Sequence, residues 1–117
     1  MDEMEIVQDR GATGTTRILR LNGPLTLSTL FGLQAALREL GNADTVIDLA
    51  AVPYMDSAGL GCVISILASC QRTKRGFAVI GLTERIRTLF EVTGVNGLIP
   101  CFDTLDAAEA AVMHPAV

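Results

Sequence analysis

The segment TVIDLAAV, at residues 45–52, limits the fold of this chain more than any other segment. It is a nearly continuous apolar run that is broken by one Asp. Successive side chains of a strand point to opposite faces of a sheet, so a strand that is apolar throughout is expected to be covered on both faces. The segment therefore predicts the central strand of a mostly parallel sheet with helices packed on it.

The segments around this strand alternate between strand and helix patterns. Residues 4–9 and 16–21 carry branched apolar residues, and the two glycines within 10–15 predict the turn of a hairpin between them. Leucines spaced three and four residues apart predict the first helix. The elements predicted after the hairpin are a helix capped by Ser28 or Thr29 and ending at Gly41-Asn42, the strand 45–52, a helix over 57–73 stopped by Gly76, a strand over 77–82, a helix from Thr83 to Thr93 closed by Gly94, a short strand over 98–102 and a final helix capped by Thr104.

This order of elements predicts an α/β fold in a single domain over residues 1–117. The sheet is expected to be mostly parallel but mixed, with about five strands, an N-terminal hairpin and four helices. Pro100 lacks a backbone N–H, so the last strand is expected at an edge of the sheet. Half of the residues are hydrophobic and 19% are charged, which is typical of a chain that packs a core.

Charge and hydropathy argue against several classes of partner. The net charge of −4 predicts no general attraction to nucleic acid. The tight basic group of Arg72, Lys74 and Arg75 is predicted to cap a helix. The longest nearly apolar stretch, residues 59–69, falls well short of the roughly 20 residues of a membrane span, and no secretory signal is visible. We expect a cytoplasmic protein that contacts neither nucleic acid nor membrane.

The cysteines suggest neither a disulfide framework nor a metal site. Cys62, Cys70 and Cys101 are odd in number, form no CxxC pair and have no histidine nearby, so reduced, buried thiols are expected. No cofactor is expected, because the chain has no GK[ST] phosphate loop and Gly59-x-Gly61 lacks the third glycine of the dinucleotide fingerprint.

The stretch PYMDSAGLG, at residues 53–61, allows two interpretations of its serine. Either Asp56 or Ser57 simply caps the following helix, or Ser57 is where the protein's chemistry takes place. A hydrolase nucleophile is disfavoured, because Met55 stands where a nucleophile elbow needs glycine and the only histidine, His114, lies in a tail predicted to fray. No catalytic set is predicted.

The first turn of this helix favours a role at the surface. Ala58, Gly59 and Gly61 leave it nearly bare of side chains, and each glycine weakens the helix by roughly 1 kcal/mol, so something is expected to approach this backbone closely. A phosphate on Ser57 would be tolerated by the fold, because free amides and the positive end of the helix dipole oppose its charge.

Two long segments resemble the STAS domain, specifically the bacterial anti-sigma factor antagonists: VIDLAAVPYMDSAGLGCVISI and KRGFAVIGLTERIRTLFEVTGVNGLIPCFDTLDAAEAAV. The run from Met55 to Gly61, with Leu89-Phe90 and Thr93-Gly94, carries the resemblance, which covers nearly the whole chain. It implies that Ser57 is phosphorylated by a partner anti-sigma factor that is itself a serine kinase. The unmodified antagonist would bind this kinase and free a sigma factor, and a phosphatase would restore the modified form.

The resemblance further implies a monomer or weak dimer without catalysis of its own. Family antagonists usually carry Gly-Glu-Leu-Asp before the first helix, where this chain has Gly-Pro-Leu-Thr at 23–26, so recognition of the kinase is expected to differ. A scaffold or docking subunit of a larger signalling assembly stays open as an alternative. An accessory domain of a lipid transporter is disfavoured by the intact Asp-Ser pair. The residues assigned to the partner-binding surface are Pro24, Leu25, Thr26, Met55, Asp56, Ser57, Ala58, Gly59 and Gly61.

Overall fold

The computed structural model describes residues 3–12, 14–41 and 43–113. These residues form one five-stranded sheet and four α-helices. In chain order the elements are β1 (Glu5–Arg10), β2 (Thr16–Asn22), α1 (Leu30–Leu40), β3 (Asp44–Ala51), α2 (Ser57–Arg72), β4 (Phe77–Ile80), α3 (Glu84–Val92), β5 (Cys101–Phe102) and α4 (Leu105–Met113).

The sheet has β3 at its centre, in the spatial order β1-β2-β3-β4-β5. β1 runs antiparallel to β2, and the other neighbouring pairs are parallel. The predicted fold class, the opening hairpin and the central strand are therefore confirmed. β5 follows Pro100 directly and lies at an edge, as predicted. Thr13 of the predicted hairpin turn, Asn42 of the predicted helix end and His114 lie outside the described residues.

The hydrophobic core has two layers, one on each face of the sheet. Ile47 and Leu49 of β3 lie in the layer packed by α1, α2 and α3, whereas Val46 lies in the opposite layer. All three side chains are fully buried. α4 contributes Ala108 and Val112 to the second layer. This double cover explains why the central strand is apolar on both sides of its pleat.

Two strands are shorter than predicted. β4 ends at Ile80, because Gly81 has a φ of +73° and turns the chain out of the extended conformation. β5 comprises Cys101–Phe102 alone. The residues before it form a hydrogen-bonded turn, in which the N–H of Ile99 donates to the Val95 carbonyl over 3.0 Å. The longer strand predicted there was therefore wrong at its start.

The end of α2 also differs from the prediction. Lys74 adopts the left-handed conformation, with a φ of +58°, and the N–H of Arg75 donates to the Cys70 carbonyl over 2.8 Å. These two features close the helix. Gly76, predicted as the stop, is a packing position, because a Cβ there would overlap the Val112 carbonyl of α4. The small size of Gly76 thus allows α4 to approach the start of β4.

The basic group at this helix end connects two helices. The guanidinium of Arg75 donates to the Gly41 carbonyl, at the C-terminus of α1, over 3.0 Å and to the Ser69 hydroxyl of α2 over 3.1 Å. A cation is favourable at the negative end of a helix dipole. Arg75 therefore caps the end of α1 and not, as was predicted, that of α2, while the exposed Arg72 lies in the last turn of α2, where the predicted interaction with the dipole is favourable.

The three cysteines are free thiols. Cys62 and Cys70 are buried, as predicted, and Cys101 is half-buried. Burial raises the pKa of each thiol, which keeps these sulfurs protonated and poorly nucleophilic near neutral pH.

Candidate functional site

Ser57 lies near the C-terminal ends of the parallel strands. It is the first residue of α2, and residues 52–56 connect it to the end of β3. Ser57 is exposed to solvent. Another macromolecule can therefore reach its hydroxyl without opening the fold.

Asp56, and not Ser57, caps the helix. The backbone of Asp56 is extended, and its Oδ1 accepts a hydrogen bond from the Gly59 N–H over 2.8 Å. Its Oδ2 accepts a second bond from the Leu27 N–H over 3.1 Å. The bond from Gly59 is the main cause that lowers the pKa of the Asp56 carboxyl. The Asp56 carboxylate thus joins the start of α2 to the loop before α1. The Ser57 hydroxyl is not needed as a helix cap.

Replacing Asp56 by Ala should lower the free energy of unfolding by about 1–2 kcal/mol, because a helix cap is lost. Asp56→Asn should lower it less, because its amide oxygen can still cap Gly59 while the NH₂ group cannot accept from Leu27. Denaturant unfolding of the three proteins measures both effects. Since the pKa of Asp56 is lowered in the folded protein, its stabilisation is present above the ordinary value of 3.8 and is lost as the pH falls through the lowered value. A wild-type advantage over Asp56→Asn that persists in strong acid would contradict this assignment.

The loop before α1 is fixed against the site by backbone bonds. Leu25 forms an isolated parallel bridge with Met55. The Leu25 N–H donates to the Tyr54 carbonyl over 3.1 Å, and the Asp56 N–H donates to the Leu25 carbonyl over 3.3 Å. The loop therefore lies beside the segment that leads into Ser57 in a defined register.

Thr29 stabilises this loop rather than the helix that follows it. Thr29 occupies the N-cap position of α1, yet its side chain makes no capping bond to the helix. Its hydroxyl donates to the Pro24 carbonyl over 2.8 Å and accepts from the Thr26 N–H over 2.9 Å. The prediction that Ser28 or Thr29 caps the helix through its side chain is therefore wrong for Thr29. The Ser28 hydroxyl instead lies 3.0 Å from that of Thr26.

The two glycines of α2 have different surroundings. Gly59 is buried, and a Cβ there would overlap the Leu25 carbonyl. The close approach that the sequence suggested is thus made, at Gly59, by the chain's own loop. Gly61 is exposed, and nothing lies within 4 Å of the position that a Cβ would take. Of these two glycines, Gly61 is the one that leaves bare helix surface open to solvent.

The predicted partner-binding residues are brought together but differ in exposure. The loop and its neighbours are held mainly inside, and the start of α2 faces solvent. The buried members can support this surface but are not accessible to another molecule, whereas the exposed ones are accessible to solvent. Pro24, Leu25, Thr26, Met55 and Gly59 are buried, Asp56 and Ala58 are half-buried, and Ser57 and Gly61 are exposed.

Apolar and aromatic residues near this site were not predicted from the sequence. Leu27 and Phe31 are exposed, although neighbouring leucines of α1 are buried. Their four-residue spacing was a signal, since it places them on one side of a helical turn. In the segment before Ser57, the Tyr54 ring lies under the guanidinium of Arg85, which is 5.6 Å from the ring centroid. This cation–π contact brings the first turn of α3 to the segment that precedes Ser57.

Other features lie away from Ser57. A cleft of about 500 Å³ between α1 and α2 is lined in part by Arg38 and Arg75, at the C-terminal ends of these helices. Ser57 lies at the opposite end of α2. Among the described residues, no group of three or more His, Cys, Asp and Glu side chains is placed to hold a metal ion. No helix in that part of the chain has the length and apolar character needed to cross a membrane.

Fold and site together define an α/β domain that displays an exposed serine after its central strand, beside a capping aspartate. The sequence profile of the STAS domain matches residues 4–108. The chain belongs to the STAS domain family.

Similar proteins include several anti-sigma factor antagonists. The anti-sigma-B factor antagonist of Staphylococcus epidermidis is 33% identical over 84 residues, which cover 69% of this chain and 78% of that protein. The crystal structure of an anti-sigma factor antagonist from Mycobacterium paratuberculosis has a TM-score of 0.82 at 23% identity and covers 94% of each chain. The Bacillus cell fate determinant SpoIIAA in its phosphorylated form has a TM-score of 0.68 at 16% identity, covering 92% of this chain and 99% of that one.

Proposed function

We propose that this protein is an anti-sigma factor antagonist whose binding to its partner is controlled by phosphorylation of Ser57. One observation carries the proposal: Ser57 is exposed at the start of α2, while the neighbouring Asp56 performs the capping task. Names of relatives supply the partner class, because the S. epidermidis relative is named an anti-sigma-B factor antagonist.

In the proposed cycle, the unmodified protein binds an anti-sigma factor serine kinase and a sigma factor is released. The kinase transfers the γ-phosphoryl group of ATP to Ser57. An Oγ–P bond forms, the bond from the γ-phosphorus to the bridging oxygen of ADP breaks, and the hydroxyl proton passes to a base of the kinase. A phosphatase later hydrolyses the phosphoserine. Neither step needs a catalytic group from this chain.

The position of Ser57 allows the fold to survive this modification. A phosphate at the first position of a helix lies near amides without intrahelical partners and near the positive end of the helix dipole. The local structure around Asp56 and Gly59 can therefore persist while the charge of the surface changes. This property suits a switch that alters binding without unfolding.

Recognition by the kinase should depend little on charge in the loop before α1. At 24 and 26, where family antagonists usually carry Glu and Asp, this chain has Pro24 and Thr26, and both are buried. The Thr26 hydroxyl lies within 3.0 Å of the Ser28 hydroxyl. The cognate kinase is therefore expected to lack basic residues directed at this loop.

The proposal is tested by capturing the partner and locating the phosphate. The Ser57→Ala protein, immobilised and exposed to an extract of the source organism, should retain an anti-sigma factor that mass spectrometry identifies. The purified factor with ATP should then add one phosphate to the wild-type chain at Ser57. Ser28 and Ser65, which are also exposed, serve as internal controls. Phosphate on either control serine but not on Ser57, or no transfer by a captured anti-sigma factor, would refute the proposed switch.

A further inference from the structure

Two large apolar side chains lie exposed before and within the first turn of α1. Leu27 is 61% exposed and Phe31 is 63% exposed, whereas Leu30 and Leu33 of the same region are buried in the core. The turn over residues 26–30 is helix-like, because the N–H of Leu30 donates to the Thr26 carbonyl over 2.9 Å. We call Leu27 and Phe31 the apolar patch.

One member of the patch, Leu27, is tied to the residue that precedes the proposed switch serine. The N–H of Leu27 donates over 3.1 Å to the carboxylate of Asp56, and Asp56 directly precedes Ser57. This tie uses only the backbone of Leu27. The Leu27 backbone is therefore held against the residue before Ser57, and the exposed Leu27 side chain takes no part in this bond.

Packing within this chain does not account for the exposure of the patch. Both side chains keep more than half of their surface in water, so their burial contributes little to folding. The first turn of α1 contains no acidic residue, and both oxygens of the nearby Asp56 carboxylate accept backbone bonds. The result is a surface with exposed apolar area and little free charge, which is suited to contact an apolar segment of another protein.

We propose that Leu27 and Phe31 anchor an apolar segment of the anti-sigma factor, so that Ser57 lies at the margin of this contact. The inference rests on the proposed function and adds residues that recognise the partner. A few residues near the centre of an interface carry most of its binding energy. A phosphate on Ser57 would then enter a contact whose anchor cannot neutralise it, which gives the modification its effect.

The test compares alanine variants of the patch with a matched exposed control. The variants are Leu27→Ala, Phe31→Ala and the double variant. The control is Val92→Ala, at the C-terminal end of α3, where the side chain is 80% exposed. Alanine keeps the Leu27 N–H and suits a helix, so the melting temperature should stay near that of wild type.

Calorimetric titration with the purified anti-sigma factor of the same organism should show about tenfold weaker binding for each single variant and roughly 100-fold for the double variant. The control should bind as wild type.

Each outcome tests either this inference or the proposed function on which it rests. Equal affinity of the folded double variant and wild type would overturn the patch while leaving the proposed function intact. A change in the self-association of the isolated chain, seen by sedimentation, with unchanged partner affinity would assign the patch to a second copy and also overturn the inference. Failure of wild type to bind any anti-sigma factor of its organism would refute the proposed function and this inference together.

Discussion

Replacing Ser57 by Asp is expected to weaken binding of the anti-sigma factor by at least about 30-fold, whereas Ser57→Ala is expected to preserve it. An unpaired charge seated in an interface costs about 2–5 kcal/mol. At 1.4 kcal/mol per tenfold, this corresponds to a loss of roughly 30- to 4,000-fold in affinity. The neighbouring charge is that of Asp56, which is also negative and already accepts two backbone bonds. Titration of the purified partner with each variant measures the difference.

The Ser57 comparison requires that both variants stay folded. A carboxylate in the first turn of a helix interacts favourably with the helix dipole, so Ser57→Asp should unfold at nearly the wild-type temperature. Weakened binding together with an unchanged melting temperature would locate the effect in the interface. Equal affinities of Ser57→Asp and Ser57→Ala would exclude charge at this position as the control of binding.

The parts of the fold set by local pattern were predictable from sequence. The apolar run of β3 determines its central place because both faces must be covered. Thr83 was predicted as the start of a helix and Thr104 as a helix cap, and the hydroxyl of each accepts a hydrogen bond from an amide three residues further on. Gly41 ends α1 with a φ of 62°. Each of these features depends on residues close together in the chain.

Features that depend on distant contacts were not predictable from sequence. The Thr29 hydroxyl serves the loop because Pro24 and Thr26 are folded back onto it. Gly76 is required by α4, which lies far along the chain, and so its position near a helix end was misleading. In the site, the sequence singled out Ser57 but not the apolar patch. The leucine spacing indicated which side of α1 packs on the core, but it did not show that no other part of the chain covers Phe31.

Gly59→Ala is expected to destabilise the protein by about 3 kcal/mol, whereas Gly61→Ala is expected to stabilise it by about 0.5–1 kcal/mol. A Cβ at Gly59 would overlap the Leu25 carbonyl, which is backbone and also accepts the Asp56 N–H, so the loop must shift. Overpacking of this kind typically costs 1–3 kcal/mol. At Gly61 the added methyl meets nothing within 4 Å, and alanine is the better helix former.

Thermal and denaturant unfolding of the two variants measure this contrast, because the substitutions are chemically identical and lie two residues apart. Gly59→Ala should melt roughly 10 °C below wild type, and Gly61→Ala slightly above it. Titration with the partner separates an effect on stability from an effect on the interface. If the partner covers the bare surface at Gly61, then Gly61→Ala should weaken the complex although the free protein is more stable. Equal stabilities of the two variants would show that the loop does not pack on Gly59, and the register that bonds Leu27 to Asp56 would then be incorrect.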